Sequence, residues 1–177
     1  GNGHVRWKRD RPPNDRQKFA FSTPLVIEVN GAKQIVSPGA GGVIAYRPAD
    51  GEPVWQVMYP GGYSVVPRPV FGHGMVYLSS GYDTPVLLAI KTDGTGDVTN
   101  SHVLWKLKTG APRNASPLLV GNEIYTVSDN GIAQCTDAKT GKVHWKNRLP
   151  GAYSASPIVA GGKVYFLDEQ GHTTVVE

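Results

Sequence analysis

The stretch Asp137-Ala138-Lys139-Thr140-Gly141-Lys142-Val143-His144-Trp145 is a tight turn followed by a tryptophan. Asp137 and Thr140 are residue types whose short polar side chains bond the backbone of a turn. Gly141 supplies a corner with positive φ at no steric cost. Four positions on, Trp145 offers a large apolar surface with a single donor, suited to packing between two layers. Working outward, the other tryptophans are Trp7, Trp55 and Trp105, so that successive indoles stand 48, 50 and 40 positions apart.

More marks recur in step with that period. Each unit carries a small or polar residue, a proline and an apolar pair: Thr23-Pro24-Leu25-Val26, Arg68-Pro69-Val70, Ser116-Pro117-Leu118-Leu119 and Ser156-Pro157-Ile158-Val159. A short apolar run, a glycine turn and another apolar run then lead to the next tryptophan. The runs are about 4 to 8 residues long, rich in Val, Ile, Tyr and Thr, and bounded by Gly, Asn, Asp or Pro, which reads as strand. No stretch holds an i, i+3, i+4, i+7 apolar pattern long enough for a helix. Four short strands at a period of about 40 to 50 residues match the blade of a β-propeller. The expected fold is therefore all-β, a β-propeller of four-stranded antiparallel blades.

Naming the strands A to D from the axis outward, the phasing predicts a lone D strand over 4–8. Blades then follow over 9–58, 59–108 and 109–148, with a partial blade over 149–177 that ends after strand C. That makes sixteen strands, four blades' worth. The D strand at 4–8 is of the right kind to complete the unfinished blade, since an unpaired edge invites further pairing. The expectation is an open arc, or half of a larger ring that a homodimer would complete, in preference to a closed four-bladed barrel. The chain reads as a segment of a longer propeller.

Composition excludes several classes. With 177 residues, 22 glycines and 14 prolines the chain suits a turn-rich β protein with a sizeable core. No run of 18 apolar residues is present, so no transmembrane helix is expected. The start GNGHVRWKRD lacks the apolar segment of a secretory signal. The net charge is +4, but acids are interspersed with the bases and the aromatic residues fall in blade positions, so no nucleic-acid partner is expected. A lone cysteine, Cys135, excludes an internal disulfide and a cysteine-based metal cluster, and its place inside a strand suits a packed small side chain. The five histidines never pair at ligand spacing, and Asp93, Asp97 and Asn100 lack a closing bidentate acid, so no metal is expected. No nucleophile elbow, phosphate loop or dinucleotide fingerprint appears.

The segment CTDAKTGKVHW at 135–145 resembles the tryptophan-docking pattern of the pyrroloquinoline-quinone (PQQ) type propeller repeat, small-x-Asp-x-x-Thr-Gly-x-x-x-Trp. AYRPADGEPVW at 45–55 resembles it with Arg47 at the Asp position and Asp50 at the Thr position, departures expected to weaken the turn. AIKTDGTGDVTNSHVLW at 89–105 keeps only Ala89 and Trp105 in register. In this resemblance Trp7, Trp55, Trp105, Trp145, Asp137, Thr140 and Gly141 are structural docking residues. The chain is similar over its whole length to bacterial PQQ-like repeat proteins, including BamB-type assembly factors. The resemblance implies a propeller of the periplasm or cell envelope and a non-enzymatic scaffold for protein partners, or for the remaining blades of a parent propeller. It does not imply a cofactor: quinoprotein alcohol dehydrogenases of the same superfamily use a vicinal disulfide, a stacking tryptophan and a calcium site. One cysteine cannot form that disulfide. The alternative is a segment of a PQQ-dependent alcohol or sugar dehydrogenase whose catalytic residues lie in other blades.

A propeller gathers its D-to-A linkers and B-to-C turns on one face. Here those carry Arg16, Lys18, Tyr63, Arg113 and Tyr153 in the linkers and Tyr82, Asp83, Asp129 and Asp168 in the turns. Arg68 sits at the head of an A strand, where its guanidinium is placed to face the channel and take an anion or carboxylate. Arginine and tyrosine at loop tips on a rigid scaffold are what protein interfaces favour. These ten residues are the candidate partner face; no catalytic residue is expected.

Overall fold

The computed structural model describes residues 1–11 and 18–177. Each proline of the recurring marks sets where a sheet begins. Proline has no N–H to give to a ladder, so it stands at the head of a strand. Thus β1 (Leu25–Val29) starts directly after Pro24. In the same way β5 (Val70–Gly72), β10 (Leu118–Val120) and β14 (Ile158–Ala160) start after Pro69, Pro117 and Pro157. These innermost strands are therefore short, three to five residues each.

The first sheet continues through β2 (Ala32–Gly39), β3 (Gly42–Tyr46) and β4 (Pro53–Met58), and the second through β6 (Met75–Ser79), β7 (Leu87–Lys91) and β9 (Val103–Leu107). The third adds β11 (Glu123–Val127), β12 (Ile132–Asp137) and β13 (Val143–Arg148), and the fourth β15 (Lys163–Leu167) and β16 (Thr173–Val176). The neighbouring strands named so far are all antiparallel. The chain has the all-β, four-bladed propeller-type architecture that the period predicts.

Two strand expectations are corrected. Residues 4–8 form no strand and do not join the fourth sheet, because none of the described strands lies alongside them to complete a ladder. The sixteenth strand is instead β8 (Gly96–Asp97), from the long loop of the second unit, which pairs parallel with β4 through Trp55↔Gly96. Val98 N–H donates to Gln56 O at 2.9 Å and Met58 N–H to Thr99 Oγ1 at 2.8 Å. The loop thereby covers the outer edge of the first sheet, which would otherwise be open to foreign strands.

The register explains the small residue that precedes each turn. Ala45 lies opposite Trp55, Ala89 opposite Trp105 and Cys135 opposite Trp145, with a bulge directly after the small residue in all three ladders. On its other side the small residue faces Val36, Tyr77 or Tyr125. A row of large, small and large side chains lets the indole lean across the sheet, and the bulge turns the strand into the C-to-D corner. Cys135 is a buried filler here, and burial pushes its thiol pKa up.

The core lies between the sheets. Trp55, Val36 and Val57 of the first pack with Val76, Leu78, Leu88 and Ile90 of the second. Met75, Tyr77 and Ala89 of the second pack with Ile124 and Ala138 of the third, and Val127 and Ala133 of the third with Val164 and Phe166 of the fourth. Each sheet thus has a forward face toward the next sheet and a rear face toward the previous one, so stability accumulates by neighbour contacts as in other repeat proteins.

Candidate functional site

The turns that carry the tryptophans are structural, and two share one geometry. Asp137 Oδ1 accepts Thr140 N–H at 2.7 Å, Thr140 Oγ1–H at 2.8 Å and Lys139 N–H at 3.0 Å. Those bonds, the Thr140 hydroxyl's first, hold the Asp137 carboxyl below the usual carboxylate range. The first sheet has the same corner, with Gly51 N–H on Arg47 O at 2.9 Å as Gly141 N–H is on Asp137 O at 2.9 Å. Arg47 and Asp50, expected to weaken it, form a bidentate ion pair with Nε–Oδ1 at 2.8 Å and NH2–Oδ2 at 2.6 Å. Charge replaces the Asp–Thr hydrogen bond without changing the turn.

Indoles of the preceding unit lie against these corners. Trp105 Nε1–H donates to Ala138 O at 3.0 Å, and Trp7 Nε1–H makes the same contact to Pro48 O at 2.9 Å. Both rings cover a glycine, Gly141 under Trp105 and Gly51 under Trp7. Trp55 differs: its Nε1–H donates to Gln34 Oε1 of its own sheet at 2.8 Å, where the second unit has the long loop in place of the short turn. Trp145 packs on Tyr125, ring centroids 6.1 Å apart.

On the loop face, linkers and turns are cross-braced. Tyr82 N–H donates to Tyr63 O at 2.8 Å, and the two rings meet edge to face at 5.7 Å. Gly81 is required between them, because a Cβ there would lie 2.5 Å from Tyr63 O. Arg113 stacks over Tyr82 with Cζ 5.2 Å from the ring centre and donates from NH2 to Asp83 O at 3.1 Å. Asp129 accepts Arg113 N–H at 2.9 Å and Asn114 Nδ2–H at 2.6 Å, and its carbonyl takes Tyr153 N–H at 3.0 Å. Beside this group a cleft of about 310 Å³ opens between Pro85, Lys108, Thr109, Arg113, Asp129 and Asn130.

The structure thus brings Tyr63, Tyr82, Asp83, Arg113 and Asp129 into one cluster. It places the remaining candidates elsewhere. Tyr153 is 1% exposed in the core between the third and fourth sheets, with its hydroxyl donating to Pro150 O at 3.0 Å, so its ring is not presented at the face. The Asp168 side chain is buried and accepts His172 N–H at 2.8 Å and Gln170 N–H at 2.9 Å. Burial pushes that carboxyl up, but the bonds from His172 and Gln170 outweigh it and leave it below the usual range. Arg68 is exposed, with its backbone N–H on Ser116 Oγ at 2.9 Å, and Lys18 is exposed as well. Arg16 lies outside the described residues.

Phe19 and Phe21 escaped the sequence reading. They are exposed and stacked on each other, centroids 6.3 Å apart and planes 3° apart. Phe21 N–H donates to Val65 O at 2.7 Å, which ties the pair to the linker that follows Tyr63. The only signal was the alternation Phe-Ala-Phe in a polar linker. Among the described residues no group of three or more His, Cys, Asp or Glu is arranged to hold a metal ion, and no helix is long and apolar enough to cross a membrane.

A family model described as outer membrane protein assembly factor BamB matches residues 1–102 and again 95–177. Among solved structures, the crystal structure of BamB from Moraxella catarrhalis superposes with a TM-score of 0.71 at 15% identity, covering 98% of this chain and 51% of that one. The chain therefore spans about half the length of that relative. The computationally designed Ika4 protein gives a TM-score of 0.64 at 15% identity, covering 98% of both chains. Quinohemoprotein alcohol dehydrogenase from Comamonas testosteroni gives 0.60 at 15% identity, covering 80% of this chain and 32% of that one. At such identities these likenesses speak to the fold. A search of curated protein sequences finds no match.

Proposed function

The chain belongs to the family of the outer membrane protein assembly factor BamB, and from that premise we propose that it is a non-catalytic scaffold that binds a protein partner in the bacterial cell envelope through its loop face. The observation that carries this reading is the division of labour on that face. Asp129 and Asp168 are used up in bracing loops, whereas Tyr82, Phe19, Phe21 and the stacked Arg113 remain presented to solvent on backbones that are already tied down. Aromatic and arginine side chains held on a rigid frame lose little entropy on binding, which is the character of interface anchors.

The test is site-specific photo-crosslinking in the envelope fraction of a bacterial host. A photoreactive phenylalanine at Tyr82 is expected to give a discrete protein adduct that disappears when Arg113→Glu is added. The same probe at Lys146, on the outer strand β13, serves as the control. Equal adducts from both positions, or none from Tyr82, sink the reading. A saturable spectral shift on adding PQQ and calcium to the purified chain would instead favour a quinoprotein segment.

A further inference from the structure

The cleft of about 310 Å³ on the loop face is walled by the second and third sheets and the linker that joins them. Pro85 comes from the turn before β7, Lys108, Thr109 and Arg113 from the linker between β9 and β10, and Asp129 and Asn130 from the turn between β11 and β12. These walls are fixed from behind. Gly110 O accepts Thr126 Oγ1–H at 3.2 Å and Pro112 O accepts the buried Ser79 Oγ–H at 2.5 Å, so each sheet holds the linker by one carbonyl. On the turn side Ser128 Oγ accepts Ile132 N–H at 2.9 Å and donates to Asn130 Oδ1 at 2.6 Å. A ligand entering such a cleft has little backbone left to order.

One change within the repeat accompanies the opening. Arg113 stands four residues before Pro117, as Tyr153 stands four residues before Pro157, with Asn114-Ala115-Ser116 and Ser154-Ala155-Ser156 following in step. The Tyr153 ring turns inward and fills space between the third and fourth sheets. An unpaired guanidinium is far costlier to bury than a phenol ring. Arg113 lies outside instead, over Tyr82, and the cleft stays open beside it.

Charge decides what the cleft can hold. Among the described residues its cations are Lys108 and Arg113, and its one acid is Asp129. Both Asp129 oxygens are already engaged, Oδ2 by Arg113 N–H and Oδ1 by Asn114 Nδ2–H, so that carboxylate serves the wall. Arg113 rests on neutral partners, the Tyr82 ring and the Asp83 carbonyl. None of the ion pairs among the described residues includes Lys108 or Arg113. Two cations and one committed carboxylate leave the hollow positive, at a volume near the lower end of ligand sites and sufficient for one side chain.

The geometry points to a carboxylate site. Resting on the protein-binding reading above, the cleft seats a glutamate or aspartate side chain from an acidic segment of the partner, its oxygens taken by the Arg113 guanidinium and the Lys108 ammonium. Stacking on Tyr82 and the bond to Asp83 O already restrict Arg113, so little of its freedom is lost when the acid arrives. Arg148, which donates to Asn130 O at 3.0 Å, extends the basic margin to the far side of the turn, within reach of further acids of the same segment.

An NMR titration of the isotopically labelled chain tests this, with a short peptide of alternating alanine and glutamate, acetylated and amidated so that only its side chains are charged. Saturable shifts are expected at the amides of Thr109, Gly110 and Asn130, and none with the matching glutamine peptide. The apparent affinity should fall roughly tenfold in Lys108→Gln and in Arg113→Gln, and stay unchanged in Lys146→Gln on β13. Lys108 is exposed, so its substitution leaves the core intact. In the envelope fraction, Lys108→Gln should also weaken the Tyr82 adduct. Equal shifts from the glutamine peptide overturn the proposal. So does a glutamate response indifferent to Lys108→Gln and Arg113→Gln, which would be general attraction to a chain of net charge +4. If the Tyr82 adduct forms while the glutamate peptide leaves the cleft unshifted, this proposal falls and the protein-binding face stands; if no Tyr82 adduct forms, both fall.

Discussion

Gly141→Ala tests the physical account of the repeat most directly. Gly141 has φ +74°, and a Cβ there would lie 2.7 Å from Trp105 Cγ and 2.8 Å from Cδ2. Any L-residue in this backbone region costs about 1 kcal/mol. The methyl must in addition push the indole away by a fraction of an ångström or more. That overpacking costs roughly 1–3 kcal/mol, and the lifted ring gives up its bond to Ala138 O, about 1 kcal/mol more. The sum is a loss of roughly 3–5 kcal/mol. Gly31→Ala is the control, because Gly31 has φ +78° with nothing within 4 Å of its Cβ position, so only the backbone cost of about 1 kcal/mol applies. Urea denaturation followed by tryptophan fluorescence and by circular dichroism reads both. Adding Trp105→Ala should remove most of the difference between the two glycine variants. Equal losses from Gly141→Ala and Gly31→Ala would refute the claim that the glycine is there for the indole.

Three more outcomes follow from the same contacts. The Asp137 carboxyl is held below its unfolded value of about 3.9, so its stabilisation is complete above that value and is lost as pH falls through the lower folded pKa. Thermal melting of Asp137→Asn should therefore lie below wild type at pH 7, and the gap should close in acid; a gap that persists below pH about 2 contradicts the assignment. Tyr153→Phe should cost about 1 kcal/mol through the lost bond to Pro150 O, and Tyr153→Ala roughly 3–5 kcal/mol because the ring is core; near-neutral behaviour of both would place the ring at the surface. Cys135, buried and with its thiol pKa raised, should react with a thiol reagent only as fast as the chain opens, and labelling at the rate of a free thiol would contradict its burial.

On its own the sequence determined what is local and repeated. The prolines marked each innermost strand, though not its first residue, the glycine corners marked the turns, and a small residue ahead of the turn recurred in step with Trp55, Trp105 and Trp145. These features act within a few residues and recur in each unit, so one period is enough to read them. Only the tertiary structure decided what depends on a neighbour. Residues 4–8 have strand-like composition but no partner strand, so they dock through Trp7 alone. The loop after β7 reads as a polar linker, yet it adds β8 to the previous sheet because an open edge lies within its reach. Tyr63 and Tyr153 follow Pro-Gly-Gly and Pro-Gly-Ala in matching linkers. Even so, one ring joins Tyr82 and Arg113 at the face while the other is buried, because the second lies between two sheets whose apolar faces enclose it. Which loop residues meet is set by how the sheets stack, and no single repeat carries that information.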